Sequence, residues 1–460
     1  MLVVLMGVAM GVVDGIVVSI ALPTITRDFS VNLSDSQWII TGYLVTETSL
    51  LLIFGRVSEY TGRWRLFLAG FALFTASSLA CGLSATLPEL IIFRILQATG
   101  AAMVFSISSA IIFEVFPEGE QGRAMGYIGA TIAIASIAAP ILGGFITDSL
   151  GWQYIFLINV PIGLVLLGIG GTCMKFPRGH HPRIPMDWIG AITLVTFMAG
   201  LILLLSELAG KSSPGRGILA YSMLCFVSLG IFLIAERRHP APLLDLRIFD
   251  NRRFLLANSS MILLFIAFFM LNIIGPFYLE VSLGLTPSRV GLVYLIAPIV
   301  MVIASPLTGW LYDRFQSGFF SALGIALAGA SLLLLGYAAL VRDLTLIIAG
   351  FVPLAVGSAL FQSANNVEIM RSLPIEKVGT ASSISATVRN LGMTLGVSVA
   401  SILLTFGLAA TGYQGSVEGA GPGLLSPVIS RILILGAIFC AVGAGLSLLG
   451  NRTDTDVREV

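Results

Sequence analysis

Charge is scarce in this chain: 11% of its 460 residues are Asp, Glu, Lys or Arg, less than half the roughly 25% of an ordinary soluble domain. With 57% hydrophobic residues and a mean hydropathy of +0.98, that shortage excludes a soluble fold. Cysteine is sparse as well. Cys81, Cys173, Cys225 and Cys440 each fall inside an apolar run, where small apolar packing is the expected role and neither a disulfide framework nor a metal site is indicated. The three histidines, His180, His181 and His239, sit in short polar stretches without metal-ligand spacing. A net charge of +1 with no basic tract interleaved with aromatics gives no reason to expect a nucleic acid partner. No phosphate loop, nucleophile elbow or dinucleotide fingerprint occurs, and Gly168, Gly170 and Gly171 lie within an apolar run with no strand before them. The expectation is therefore a protein that is not an enzyme, holds no cofactor or metal, and draws energy from an ion gradient instead of ATP.

What is present is hydrophobic length. Crossing about 30 Å of hydrocarbon takes roughly 20 apolar residues, and fourteen such runs are bounded by charge, Pro or Gly clusters: 2–21, 36–55, 66–84, 88–112, 123–147, 154–174, 188–207, 217–235, 254–280, 289–312, 318–340, 344–369, 379–409 and 428–449. Pro140, Pro276, Pro298 and Pro353 fall inside runs and are expected not to split them, since membrane helices tolerate proline. The first run has neither a basic leader nor a cleavage site, so it reads as a retained span. Basic residues concentrate on one side: seventeen of the 25 Lys and Arg fall in alternate loops or after the last run, six fall on the opposite side, and Arg94 and Arg389 fall within runs. By the positive-inside rule both termini face the cytoplasm.

A long-period repeat is visible. Gly55-x-x-x-Glu59-Tyr60-x-Gly62-Arg63 follows the second run and Gly309-x-x-x-Asp313-Arg314 the tenth, 254 positions later (55 to 309). Two six-helix bundles separated by a two-helix insert would place them equivalently, as in the parallel repeats of many secondary transporters. The expected division is a first bundle over 1–175, the insert with its linkers over 176–250, a second bundle over 251–450 and a short cytoplasmic tail over 451–460. A membrane sensor would want a soluble output domain, and with a tail of about ten residues that reading is not the expected one.

An ionisable side chain at the centre of a membrane helix costs about 2.5–3.5 kcal/mol on insertion scales. Asp14, Glu47 and Arg94 bear that cost in the first, second and fourth runs. At about 1.5 Å per residue they lie roughly 12, 16 and 9 Å from the outer ends, in one layer. Burial favours the neutral form of a carboxyl and a nearby guanidinium favours its anion, so movement of Arg94 relative to an acid would change its proton affinity. Asp14 is the expected proton carrier, with Glu47 sharing that role or meeting a cationic substrate. The alternative is a fixed Asp14–Arg94 ion pair that orients helices.

The residues resemble a known family. Asp14 with Ile20-Ala21-Leu22-Pro23-Thr24-Ile25, Gln37-Trp38 with Tyr43-Leu44, Gly55 to Arg65, Arg94-x-x-Gln97-x-x-Gly100, Pro140-Ile141-Leu142-Gly143-Gly144, and Gly151-Trp152-Gln153-Tyr154-Ile155-Phe156-x-Ile158-Asn159-Val160-Pro161-Ile162-Gly163 carry the likeness. Asp187-Trp188-Ile189-Gly190, Pro242 to Leu246 and Arg389-Asn390-Leu391-Gly392 extend it over nearly the whole chain. Together they are similar to the major facilitator superfamily, in particular its fourteen-helix drug:proton antiporters. The resemblance implies an all-α polytopic protein of the cell membrane, with the major facilitator fold, that exports lipophilic, cationic compounds by alternating access in exchange for protons. An exporter or flippase of an endogenous lipid or metabolite remains the alternative on the same scaffold. Partners would be the small-molecule substrates, protons and membrane lipids, with a monomer sufficient.

The resemblance also distributes roles. Gly55, Glu59, Gly62 and Arg63, with Asp313 and Arg314 in the second half, would gate the cytoplasmic side: Gly55 by letting helices approach closely, Gly62-Arg63 by a tight basic turn. Pro140, Gly143 and Gly144 would bend the fifth helix, give it a smooth packing face and limit proton leak. Gln97, Phe265, Phe268, Phe269, Asn272, Phe361, Gln362, Asn365 and Arg389 are the candidates to line a substrate cavity, though each aromatic could equally be packing.

Overall fold

Inside hydrocarbon no water bonds the backbone, so each crossing must satisfy its own N–H and C=O groups, and a helix does so within one segment. The computed structural model describes all residues except 116–120, 174–186, 210–215, 240–241, 245, 316–317, 374–377, 414, 416 and 459–460, and the described residues are helical with short connections. Fourteen helices among them are long and apolar enough to cross a membrane. In order, spans 1 to 7 are Leu2–Asp28, Leu33–Ser58, Arg63–Gly82, Leu87–Ser108, Ala130–Ser149, Tyr154–Gly171 and Trp188–Leu205. Spans 8 to 14 are Gly217–Arg238, Arg252–Ser282, Pro287–Tyr312, Phe319–Val341, Leu344–Arg371, Ile384–Ala410 and Gly421–Gly450.

Span 1 runs a further two turns beyond the end expected near residue 21. Its helix continues through Pro23, and Thr26 ties the extension down: the Oγ1 hydroxyl lies 2.7 Å from the Leu22 carbonyl and 2.8 Å from Ser36 Oγ. Pro140, Pro276 and Pro353 lie within unbroken helices as expected. Pro298 does not. Span 10 is two helices, Pro287–Tyr294 and Ile296–Phe315, and Tyr294 is the residue whose carbonyl Pro298 would have to bond four positions back. Proline has no N–H to offer there and its ring crowds that carbonyl. The same rule breaks span 6, where Pro161 stands four residues after Leu157. One short helix ends at Leu157 and the next begins at Asn159.

The chain forms two compact units: Met1–Leu204 with Pro214–Leu243 and Thr286–Leu292, and Leu205–Ser213 with Leu244–Leu285 and Val293–Val460. Spans 7 and 8 thus group with the first unit, where Gly200 lies against Cys225. Within the first unit span 3 packs on span 4, span 2 on span 4, span 1 on span 5 and span 3 on span 6. Each pairing recurs eight spans later in the second unit: 11 on 12, 10 on 12, 9 on 13 and 11 on 14.

The repeat extends to atoms. A Cβ on Gly100 would stand 2.6 Å from Gly70 O and 2.6 Å from Phe74 N, and a Cβ on Gly357 would stand 2.6 Å from Gly324 O and 2.7 Å from Ala328 N. Gly324 follows Gly70 by 254 positions, the spacing of the loop motifs. Spans 3 and 4, and again 11 and 12, meet backbone to backbone, which any side chain at these glycines would prevent.

Candidate functional site

Span 1 carries Asp14 inward, and spans 4 and 6 close on it. The carboxylate accepts from three side chains: Arg94 Nη1 at 2.5 Å on Oδ2, and Gln97 Nε2 at 2.9 Å and Asn159 Nδ2 at 3.2 Å on Oδ1. Asp14, Arg94, Gln97 and Asn159 are all at least 97% buried. Arg94 and Gln97 are three apart on span 4, so they share a helix face, and Arg94 Nη1 also donates to Gln97 Oε1 at 2.6 Å.

The neighbours hold this network still. Gln97 Nε2 donates to Ser78 Oγ at 2.8 Å, and Ser78 donates onward to the Phe74 carbonyl at 2.8 Å. Cys81 Sγ lies 3.8 Å from Gln97 Oε1. Arg94 Nε donates to the Ile39 carbonyl at 3.2 Å, and its guanidinium carbon sits 4.0 Å above the Tyr43 ring and 5.6 Å from that of Phe156. An ion pair with both partners out of water survives only when the remaining lone pairs and protons are also satisfied. Spans 1, 2, 3, 4 and 6 each contribute to meeting that condition.

Of the three ionisable residues expected in one layer, the fold thus brings Asp14 and Arg94 into contact and adds Gln97, expected only as a cavity residue. Glu47 is half-buried one turn beyond Tyr43 and is not among the hydrogen-bond partners of Asp14 or Arg94. Asn159, Ser78, Tyr43 and Phe156 had no assigned role, although a polar residue in an apolar run such as Asn159 is the kind of signal that singles out a site.

The loop motif after span 2 and its counterpart after span 10 are only partly described, since the side chains of Glu59 and Asp313 lie outside the described atoms. Gly62 makes the expected turn, with φ of 87°, and Arg63 opens span 3. Gly55 does not mediate the close packing expected of it: a Cβ there, as on Gly309, would meet nothing within 4 Å among the described residues. Backbone-to-backbone approaches occur instead at Gly70, Gly100, Gly324 and Gly357, where spans 3 and 4, and spans 11 and 12, pack together. Arg314 is exposed, 5.5 Å from the Trp310 ring. In span 5 the Pro140 motif is a packing face: a Cβ on Gly143 would lie 3.2 Å from Val17 Cγ1, and one on Gly144 3.1 Å from Ser288 Cα and 3.2 Å from Gly291 Cα.

In the second unit, Phe265 and Phe269 pack through their Cβ atoms on Gly392 and Gly396 of span 13, and Phe361 is wholly buried with its backbone against Gly324. Phe268, Asn272 and Gln362 are half-buried, and Arg389 is exposed. Asn365 is 1% exposed with neither amide atom hydrogen-bonded. At the place that the repeat equates with the Asp14 site there is a small apolar cavity. Phe351, 257 positions after Arg94 as Gly357 is after Gly100, meets Tyr294 edge to face there, with ring centroids 5.3 Å apart, beside Leu335, 254 after Cys81. The hydroxyls of Tyr278 and Tyr294 are bonded to the carbonyls of Ala339 and Leu271. Where the first unit holds an ion pair, the second holds an aromatic pair.

Twelve spans in two repeated bundles, two further spans grouped with the first, and a buried charged network in that unit are the architecture of a secondary transporter. Residues 3–397 match the family model of the Major Facilitator Superfamily, and the chain belongs to that superfamily. It is 33% identical over 403 residues to a riboflavin transporter of Clostridioides difficile, covering 86% of each chain. It is 30% identical over 435 residues to the multidrug resistance protein Stp of Mycobacterium tuberculosis, covering 93% of this chain and 79% of the relative. Among solved structures it is similar in fold to a bacterial homologue of the human lysosomal transporter Spinster in an inward-facing, unoccupied conformation. There the TM-score is 0.70 at 14% identity, over 98% of this chain and 96% of that one.

Proposed function

We propose that this transporter exports lipophilic, cationic compounds across the cell membrane in exchange for protons, by alternating access, with both termini in the cytoplasm and a monomer as the working unit. The observation that carries the reading is the buried Asp14 carboxylate, held by Arg94, Gln97 and Asn159 from two other spans. A carboxylate so placed is neutralised either by its guanidinium or by a proton. A conformational change that draws Arg94 aside exchanges one for the other, which couples protonation to the state of the transporter. An aromatic pair, Phe351 and Tyr294, at the equivalent place supports assigning the exchange to the first unit. No cofactor is required, and the proton gradient supplies the energy. Relatives named as a multidrug resistance protein and a multidrug transporter support the substrate class. The relative named as a riboflavin transporter favours a second reading, transport of an endogenous metabolite on the same machinery.

Vesicles reconstituted with the protein and carrying a fixed pH gradient test this. Lipophilic dye cations are added and the gradient is followed, with unaltered protein and with Asp14→Asn. Gradient collapse that requires Asp14 supports proton-coupled cation export. Collapse produced by riboflavin-like aromatics and by no cation moves the assignment to the second reading, and retained coupling in Asp14→Asn removes Asp14 from the mechanism.

A further inference from the structure

Three donors reach Asp14, and they differ in how free they are. Arg94 is donor only. Gln97 is fixed at both ends: its Nε2 bonds Asp14 and Ser78, whose own hydroxyl proton is given to Phe74, and its Oε1 accepts from Arg94. Turning that amide over would set donor against donor at Arg94. Asn159 is different, because its described side-chain hydrogen bond is the single one to Asp14 Oδ1, at 3.2 Å. It also stands at a joint. It is the first residue of the helix that resumes after the break imposed by Pro161, and it is 3% exposed.

We propose that Asn159 is a positioning residue that follows the protonation state of Asp14 by reversing its amide. The proposal rests on the reading of Asp14 as the proton carrier. With Asp14 ionised, Asn159 Nδ2 donates to Oδ1. When a proton arrives, an O–H bond forms at that carboxylate oxygen, and the acid needs an acceptor where it previously had a donor. Rotating the Asn159 amide by half a turn about its Cβ–Cγ bond replaces Nδ2 by Oδ1 at nearly the same place, and the acid then donates to it. Deprotonation reverses both changes. The other titratable groups around Asp14 are Arg94 on span 4, Tyr43 and Glu47 on span 2 and Cys81 on span 3. Arg94 can only donate, and Tyr43, Glu47 and Cys81 are not among the hydrogen-bond partners of Asp14. Asn159 is thus the one bonded neighbour able to serve both forms of the acid without losing another bond. Because it sits at the break in span 6, the exchange acts on a joint of that span.

Infrared difference spectroscopy on the full-length protein in lipid tests this. The acid carbonyl band of Asp14 is identified as the band that appears on acidification and is lost in Asp14→Asn. Asn159→Leu and Asn159→Ala cannot accept a hydrogen bond, whereas Asn159→Ser can both donate and accept. The band is expected to move to the frequency of an unbonded acid in the Leu and Ala variants and to stay near its original place in the Ser variant. Gradient-driven dye efflux should fall about tenfold in Leu and Ala, the worth of one charge-assisted hydrogen bond, while dye counterflow persists and Ser recovers efflux. An unmoved band in the Leu and Ala variants overturns the proposal, as does a Ser variant as impaired as Leu. Having two apolar variants keeps the test open if one does not fold. If unaltered protein shows no Asp14-dependent acid band at any pH, the proton-carrier reading itself fails and takes this one with it.

Discussion

Asp14 Oδ2 and Arg94 Nη1 lie 2.5 Å apart although 80 positions separate the two residues in the chain. Both are shielded from water, so each stabilises the other chiefly by sparing it an uncompensated buried charge.

Removing one partner should therefore harm the fold more than removing both. Arg94→Leu leaves the carboxylate with amide donors alone and is expected to cost about 3–5 kcal/mol. Asp14→Leu combined with Arg94→Leu should recover much of that loss. Thermal unfolding of the purified variants in detergent measures both, and a double variant no more stable than Arg94→Leu would contradict the account.

Tyr43 separates the work of its ring from that of its hydroxyl. The ring lies under Arg94 at 4.0 Å, whereas the buried hydroxyl has no hydrogen-bond partner. Tyr43→Phe should leave stability unchanged or slightly raised, and Tyr43→Leu should lower it by about 1–2 kcal/mol, the range of a desolvated cation–π contact. Melting temperatures of the two variants compared side by side decide this.

Glycine substitutions should sort by crossing point and not by motif. Gly100→Ala and Gly357→Ala force a Cβ to 2.6 Å from a backbone oxygen, so each should destabilise by about 1–3 kcal/mol or more. Gly55→Ala and Gly309→Ala meet open space and should fold normally. If either of the latter folds yet transports poorly, its glycine serves another conformation of the cycle. The yield of monodisperse protein together with dye efflux gives both readouts.

The end of the first unit where span 1 finishes and span 6 begins is tied by Trp152, whose indole Nε1 donates to Asp28 Oδ2 at 2.7 Å while its ring packs on Phe29 and Phe156. Trp152→Phe keeps an aromatic ring and loses the bond, at a cost of about 1.5–3 kcal/mol for a charged acceptor. Asp28→Asn added to it should cost little more, a coupling that a double-mutant cycle in thermal stability reads directly.

The spans and the rarity of buried charge were legible in the chain, because hydropathy is a property of some twenty consecutive residues and needs no knowledge of neighbours. Hence fourteen runs become fourteen spans, and Asp14 and Arg94 stand out from their surroundings. The loop motifs likewise announced a repeat, which the paired glycines at 70 and 100 and at 324 and 357 carry into the packing. Partnership was not legible. That Gln97 and Asn159 share Asp14 Oδ1, from 83 and 145 positions away, depends on how spans 1, 4 and 6 are turned about their axes. That Glu47, expected in the same layer, lies outside the hydrogen bonds of Asp14 and Arg94 depends on the same rotations. Membrane helices of nearly uniform hydropathy carry almost no local signal for rotation, since lipid and protein interior are equally apolar. Close packing of small residues and the sharing of polar bonds set those angles, and both exist only once the bundle has assembled.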